Sequence, residues 1–234
     1  MTISLGTSGA DLGDDDVEVW LARADFGVDA GRYAACWGLL DAGERERAAR
    51  FHFDRDRVTY VLAHSLARRA LARHGDVAAE DWSFDIGERG RPEPAAAHGS
   101  PLRFNISHTH GLVACAVSLR RDVGVDVEAI DERTQVERVA DRFFSPREVE
   151  DLMALPPGER RARFFTYWAL KESYIKARGM GLALPLDGFS FVLEAGAPIR
   201  IEIDARLGDE PSRWQFVHDW ATPDHSFAVG AARG

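Results

Sequence analysis

Two stretches carry acidic side chains where apolar ones would be expected. Asp122-Val-Gly-Val-Asp-Val-Glu-Ala-Ile130 alternates apolar and polar residues. As a strand it points Val123, Val125 and Val127 to one side and Gly124, Asp126 and Glu128 to the other. The carboxylates of Asp126 and Glu128 then share a face about 7 Å apart, at ~3.3 Å per residue. Like charges this close repel, and strand interiors disfavour Asp. A divalent cation would relieve the repulsion, and an oxygen-only donor set points to Mg²⁺ or Mn²⁺ over Zn²⁺. A solvated edge-strand face accounts for the pattern equally well.

The second stretch runs from Phe164 to Gly179 and organises the chain. Phe165, Trp168, Glu172 and Ile175 recur at the spacing of one helix face, and Gly179 is a stop signal. Glu172 is therefore a carboxylate on an apolar stripe, which must be paired, protonated or metal-bound. Lys171 is adjacent and Lys176 lies one turn on. The plain alternative is a Glu172–Lys176 pair at i,i+4, contributing about 0.2–0.5 kcal/mol.

Three further places bear on chemistry. Leu102–Ile106 and Leu112–Leu119 read as a strand pair whose tip is Ser107-His-Thr-His-Gly111. His108 and His110 alternate there, as a sparse metal site or as turn histidines bonded to backbone. Gly87-Glu-Arg-Gly-Arg-Pro92 is a loop bringing Arg89 and Arg91 on a backbone that can approach a ligand closely. Glu44 to Arg57 is a charged helix, a solvated face or a source of arginines for a phosphate.

The remaining elements must position these groups. Met1 to Asp16 reads as a mobile tail with little to bury. Val17–Ala22 reads as a strand, Tyr33–Leu40 as a short helix, and Asp41 as an N-cap. Val58–His74 is an amphipathic helix ended by Gly75, and Trp82–Ile86 a strand. Ser145, Pro146 and Glu148 form a capping box, and Pro156-Pro-Gly158 closes that helix. Phe189–Leu193, Ile199–Ile203, Trp214–Trp220 and Ser226–Ala231 read as strands finishing a sheet. The order predicts an α/β protein with similar halves, an N-terminal lobe over 17–121 and a C-terminal lobe over 122–234.

The 234 residues are 45% hydrophobic and 29% charged, enough apolar material for a substantial core. A net charge of −9 argues against a nucleic-acid partner, while leaving room for a local basic pocket. Cys36 and Cys115 are the only cysteines, and each sits among apolar neighbours. They read as buried thiols in a reducing compartment. No secretory signal and no run long enough to span a bilayer is visible, so a cytoplasmic protein without membrane contact is expected.

Taken in order, Arg47-Ala-Ala-Arg-Phe51, His64–Arg68, Gly90-Arg-Pro92, Phe104-Asn-Ile-Ser-His108, Gly124-Val-Asp-Val-Glu128, Phe143-Phe-Ser145, Trp168–Lys176 and Leu184-Pro-Leu-Asp187 resemble the signature of the 4'-phosphopantetheinyl transferase superfamily, Sfp type. The resemblance implies two αβ lobes related by a pseudo-twofold axis, with the active site in the cleft between them. It implies transfer of phosphopantetheine from coenzyme A to a serine of an apo acyl or peptidyl carrier protein, releasing adenosine 3',5'-bisphosphate. It places Mg²⁺ (or Mn²⁺) on Asp126, Glu128 and Glu172, with Glu172 and Lys176 catalytic. Ser107 and His108 would meet the coenzyme A phosphates, and Arg47, Arg91 and Lys176 would be basic contacts to the nucleotide and its diphosphate. The length resembles the monomeric branch. One departure stands out: Glu44 occupies a place where the family often has a second basic residue, so Arg45 or Arg50 would have to substitute. A non-catalytic carrier-binding module and a metal-dependent phosphohydrolase are the competing readings.

Overall fold

The structure, a computed structural model, describes residues 2–5, 12–24 and 29–234. Its described residues form a mixed α/β architecture with several small sheets. The first sheet contains β1 (Thr2–Leu5), β2 (Asp16–Ala24), β5 (Leu102–Thr109) and β6 (Gly111–Leu119), in the order β1-β2-β6-β5. The second contains β7 (Val123–Ala129), β10 (Trp214–Thr222) and β11 (His225–Ala232), in the order β10-β11-β7. Two short hairpins complete the strands: β3 (Phe84–Ile86) with β4 (Pro92–Pro94), and β8 (Phe189–Val192) with β9 (Arg200–Ile203).

The layers follow from alternation along the strands. In β6, Leu112, Ala114 and Ala116 face Val123, Val125 and Val127 of β7 and Phe227, Val229 and Ala231 of β11. The intervening Val113, Cys115 and Val117 face α3 (Asp54–His74), which lies on the outer side of the first sheet. β6 is buried on both faces, and this is why its sequence is an unbroken apolar run. Beyond the second sheet lies α6 (Pro157–Arg178), whose core includes Phe164, Leu170 and Tyr174. The order through the molecule is helix, sheet, sheet, helix.

Differences from the sequence expectation have local causes. Thr2–Leu5, expected as part of a tail, pairs in parallel with Asp16–Val19. Met1 and residues 6–11 of that expected tail lie outside the described residues. The charged helix over Glu44–Arg57 is two helices, α2 (Ala42–Ala49) and α3, parted at Arg50–Phe53. The expected strand over Trp82–Ile86 begins only at Phe84. The central helix starts at Pro157, where a proline lacks nothing that the first turn needs. α1 (Ala30–Leu39) and α5 (Pro146–Ala154) fall where the sequence placed helices, whereas α4 (Val136–Phe143) had no expectation. Cys36 is half-buried and Cys115 buried, both as free thiols. The last four strands do not finish one sheet, since β8–β9 stand apart.

The contact that places the site is the approach of β7 to α6. At Gly124 an added Cβ would lie 2.1 Å from Ser173 O and 2.4 Å from Ala177 N. Only a glycine lets strand and helix backbones meet there. Gly124→Ala should therefore destabilise the protein by about 1–3 kcal/mol or more, as overpacking does. Thermal unfolding reads this as a fall of ~2–4 °C per kcal/mol at this chain length; an unchanged Tm would show the two backbones are not in contact.

Candidate active site

β5 and β7 are the facing edges of the two sheets, and they are joined by side chains. Asn105 Oδ1, Ser107 Oγ and Thr109 Oγ1 accept from the backbone N–H of Val125, Val127 and Ala129 at 2.9, 3.3 and 3.2 Å. The period-2 polar residues of β5 thus satisfy donors that β7, as an edge strand, would leave open. The strand expected to break at Ser107 runs on to Thr109 for this reason, and the turn falls at His110–Gly111, where Gly111 has φ +82°.

Asp126 is on the opposite face of β7 from its valines and is buried. Its Oδ1 accepts from Ser107 Oγ at 3.0 Å and from Lys176 Nζ at 2.6 Å. Lys176 Nζ also donates to Ser107 Oγ at 2.7 Å. Ser107 therefore gives its one proton to Asp126 and accepts from Lys176 and Val127, which fills its bonding capacity. Lys176 is drawn to Asp126, so the i,i+4 pair with Glu172 suggested by spacing is not formed. Lys171 does not serve the site either. It is fully buried, bonded to Glu148 Oε2 at 2.6 Å, Leu186 O at 2.7 Å and Phe189 O at 2.8 Å.

Asp126 Oδ2 is buried with no hydrogen-bond partner. Glu128 lies two residues along, its Oε1 accepting from the Trp168 indole at 3.1 Å. Burial, with Asp126 and then Glu172 adding repulsion, pushes the Glu128 carboxyl up to about 8 against the pull of Lys176. Burial and Asp126 also raise Glu172. Three carboxylates thus repel one another across one small region, and one oxygen is unsatisfied. This chemistry fits a hard divalent cation, which would lower Glu128 and Glu172 and occupy the open oxygen of Asp126. Among the described residues no three His, Cys, Asp or Glu side chains stand close enough together to hold a metal ion, so the acids would have to move to do so. The cation seen on Asp126 is the Lys176 ammonium.

Two cavities flank this cluster. One of about 290 Å³ is lined by Arg91, Pro92, Ile106, Glu172, Ile175 and Lys176. Another of about 320 Å³ is lined by Arg47, Arg50, Tyr60, His64, Ile86 and Pro92. Both border Pro92 at the turn end of the β3–β4 hairpin, which makes them neighbours. In the second, the Tyr60 hydroxyl is buried and unpartnered, while its ring stacks on His64 at 4.0 Å. Burial and then Glu44 raise the phenol, with Arg47 acting against them.

Glu44 proves to be structural. It closes a capping box with Asp41, receives Arg68 Nη2 at 2.7 Å and meets His64 Nδ1 at 2.8 Å. Burial would raise its carboxyl, but these bonds hold it down to about 2. Arg45 is engaged with Trp37 O and Gly38 O, so Arg50, not Arg45, is the arginine placed beside Arg47.

Arg91 does not lie open like Arg47. Its guanidinium bonds backbone carbonyls of α6, β5 and β7. His108 is exposed in a third cavity, of about 600 Å³, with Phe51, Arg55, His110 and Arg133. Crowding of protein around its ring and the Lys176 charge push its imidazole below the usual range. The structure thus brings Ser107, Asp126 and Lys176 into contact, leaves Glu128 and Glu172 near Asp126 without bonding them to it, and sets Arg47 and His108 in two separate cavities. Tyr60 and Trp168 were missed as polar groups, because both fit an apolar helix stripe. Asn105 and Thr109 could have been found from the alternation Asn-x-Ser-x-Thr in a strand otherwise built for burial.

The raised Glu128 has a defined sign. Below about pH 4.5 the carboxyl is neutral in folded and unfolded chains alike, and its stabilising difference is fully present. It is lost as pH climbs from there through the folded value near 8. In the presence of a chelator, Tm should fall between pH 5 and 8. Glu128→Gln should flatten that slope and raise Tm at pH 8; parallel curves for parent and variant would show Glu128 is not the group responsible.

Comparison with known proteins gives the family. Residues 122–232 match the family described as the 4'-phosphopantetheinyl transferase superfamily, and residues 30–120 match its "4'-phosphopantetheinyl transferase, N-terminal" description. A 4'-phosphopantetheinyl transferase of Bacillus subtilis is 34% identical, covering 92% of this chain and 92% of that protein. The transferase HetI of Nostoc sp. is 32% identical over 80% of this chain and 78% of its own length. The transferase Sfp of Bacillus subtilis strain 168 is 34% identical, with 83% of each chain covered. With relatives this similar along nearly the whole length, and with the acidic strand and the lysine-bearing helix meeting as described, the chain belongs to the 4'-phosphopantetheinyl transferase superfamily and is an Sfp-type enzyme.

Proposed function

We propose that the enzyme moves 4'-phosphopantetheine from coenzyme A to a serine of an apo acyl or peptidyl carrier protein and releases adenosine 3',5'-bisphosphate. The observation that carries this reading is the meeting of Ser107, Asp126 and Lys176, with an unsatisfied carboxylate oxygen, beside two more acids. Phosphoryl transfer depends on positioning and on neutralising charge along the phosphates. Asp126, Glu128 and Glu172 would hold Mg²⁺, with Mn²⁺ as substitute. The ion would supply Lewis-acid charge on the diphosphate.

Each protein group has a defined task. Lys176 leaves Asp126 for the diphosphate and steadies the leaving nucleotide. Ser107 holds Asp126 in place, and its side chain and that of His108 border the phosphates. Glu172 has no bonded partner among the described residues. Burial makes its carboxylate more basic, which suits a proton acceptor for the attacking serine as well as a metal ligand. The cavity around Arg47 and Arg50 takes the adenosine end, and Tyr60 supplies a donor there in place of the base absent at Glu44. The two sheets, one before and one after residues 120–122, are read as similar lobes with the site in the cleft between them, within a monomer.

Incubation with coenzyme A, Mg²⁺ and an apo carrier tests the whole. A carrier mass gain of one phosphopantetheine is expected. Carrier binding without gain would support a binding module, and breakdown of coenzyme A alone a phosphohydrolase. Arg47→Ala should raise the KM for coenzyme A about 10-fold or more while kcat changes little, as loss of a charged hydrogen bond does. Tyr60→Phe should weaken coenzyme A binding in titration yet leave Tm equal or higher, since it removes a buried hydroxyl without a partner. Unaltered coenzyme A affinity in both variants would move the nucleotide out of this cavity.

A further inference from the structure

Arg47 and Arg91 look alike in the sequence, each a cation suited to a phosphate. The structure separates them. Arg47 is exposed on α2, whereas the Arg91 side chain is only 13% exposed. Its Nη1 donates to Lys176 O and Ala177 O, both at 2.9 Å. Its Nη2 donates to Val123 O at 3.2 Å and Phe104 O at 3.5 Å. Its Nε makes no directed bond but lies 3.2 Å from Glu93 Oε1. A guanidinium has five N–H donors. Four are on main-chain carbonyls, and the fifth faces a carboxylate that would repel an incoming anion.

The acceptors are the telling part. The last carbonyls of a helix have no partner within it, and a cation there is favourable. Arg91 covers two of these end carbonyls in α6, that of Ala177 and that of Lys176, which also accepts from the Gly179 N–H at 3.1 Å. Phe104 and Val123 stand shortly before Ser107 and Asp126 on β5 and β7. One side chain therefore ties together the three elements whose side chains meet in the site. The same hairpin adds a second tether, as Arg89 Nη1 donates to Met180 O at 2.8 Å.

We infer that Arg91 is a positioning residue: it fixes the C-terminal turn of α6 against β5 and β7, so that Lys176 is held at Ser107 and Asp126, and it does not bind the nucleotide. The inference rests on the proposed transfer from coenzyme A, in which Lys176 acts on the diphosphate. Misplacing a catalytic group slightly can reduce rate by about 10²-fold without altering ground-state binding.

The test uses Arg91→Ala and Arg91→Lys in the full-length protein, below the Tm of each and normalised to folded protein. Arg91→Ala should lower kcat by about 10–10²-fold with the KM and calorimetric Kd for coenzyme A within about 3-fold of the parent. Added methylguanidinium should restore part of kcat, and Arg91→Lys should retain an intermediate rate. A coenzyme A affinity weakened 10-fold or more at constant kcat would make Arg91 a ligand contact and overturn the inference. Unchanged kcat and affinity would reduce it to a structural tie, which also overturns it. Amide exchange over residues 173–179 should accelerate in Arg91→Ala and slow again with methylguanidinium, and unaltered exchange would count against it. If the parent loads no carrier, the functional reading fails separately, and the exchange and titration data still decide the role of Arg91.

Discussion

The structure depends on how two sheet edges are satisfied where they meet. β7 presents backbone donors along an open edge, and β5 answers with side-chain oxygens at every second residue. An unmet buried donor costs about 1–3 kcal/mol, so this register is strongly specified. Ser107 is the middle member of that series and also the hinge of the site, since its hydroxyl joins Asp126 to Lys176. The link that holds the sheets together and the link that places the charged groups are one residue.

The charged cluster is stable only because its members are unequal. Asp126 is paired with Lys176, while burial and the neighbouring Asp126 raise Glu128 and Glu172. Away from the cluster, cations of similar type have structural work. Lys171 with Glu148 and Arg68 with Glu44 are buried pairs whose remaining donors reach main-chain carbonyls or nearby carboxylates. Such pairs contribute little net stability, but removing one partner leaves a buried charge alone. Lys171 and Glu172 are sequence neighbours about 100° apart around α6, one fully buried against Glu148 and the other half-buried at the cavity lined by Arg91 and Lys176.

Much of this was legible in the sequence. The alternation over Val123–Glu128 gives the strand its two faces, whereas the stripe Phe165, Trp168, Glu172 and Ile175 is not the buried face of α6: Trp168 and Glu172 are half-buried, and Phe164, Tyr167, Lys171 and Tyr174 are buried instead. The capping box at Ser145–Glu148 and the stop at Gly179 appear as expected, with Gly179 at φ +62°. What periodicity could not supply was partnership across the chain. Nothing local to Lys176 distinguishes Glu172 from Asp126 as its partner, because that choice is made by the approach of β7 at Gly124. Glu44 looked like a lost cation for the same reason, since Arg68 lies 24 residues away and on another helix. Arg47 and Arg91 were indistinguishable until the carbonyls around Arg91 were seen.

The side-chain stitching between β5 and β7 has an evolutionary consequence. A main-chain ladder has one spacing, set by the peptide unit and indifferent to sequence. Here the gap between the edges is set by the lengths of an asparagine, a serine and a threonine, so a single-codon change can widen or narrow it locally while both strands persist. Descendants of this scaffold can therefore retune the separation of the two strands in small heritable steps, without first dismantling the sheets to which they belong.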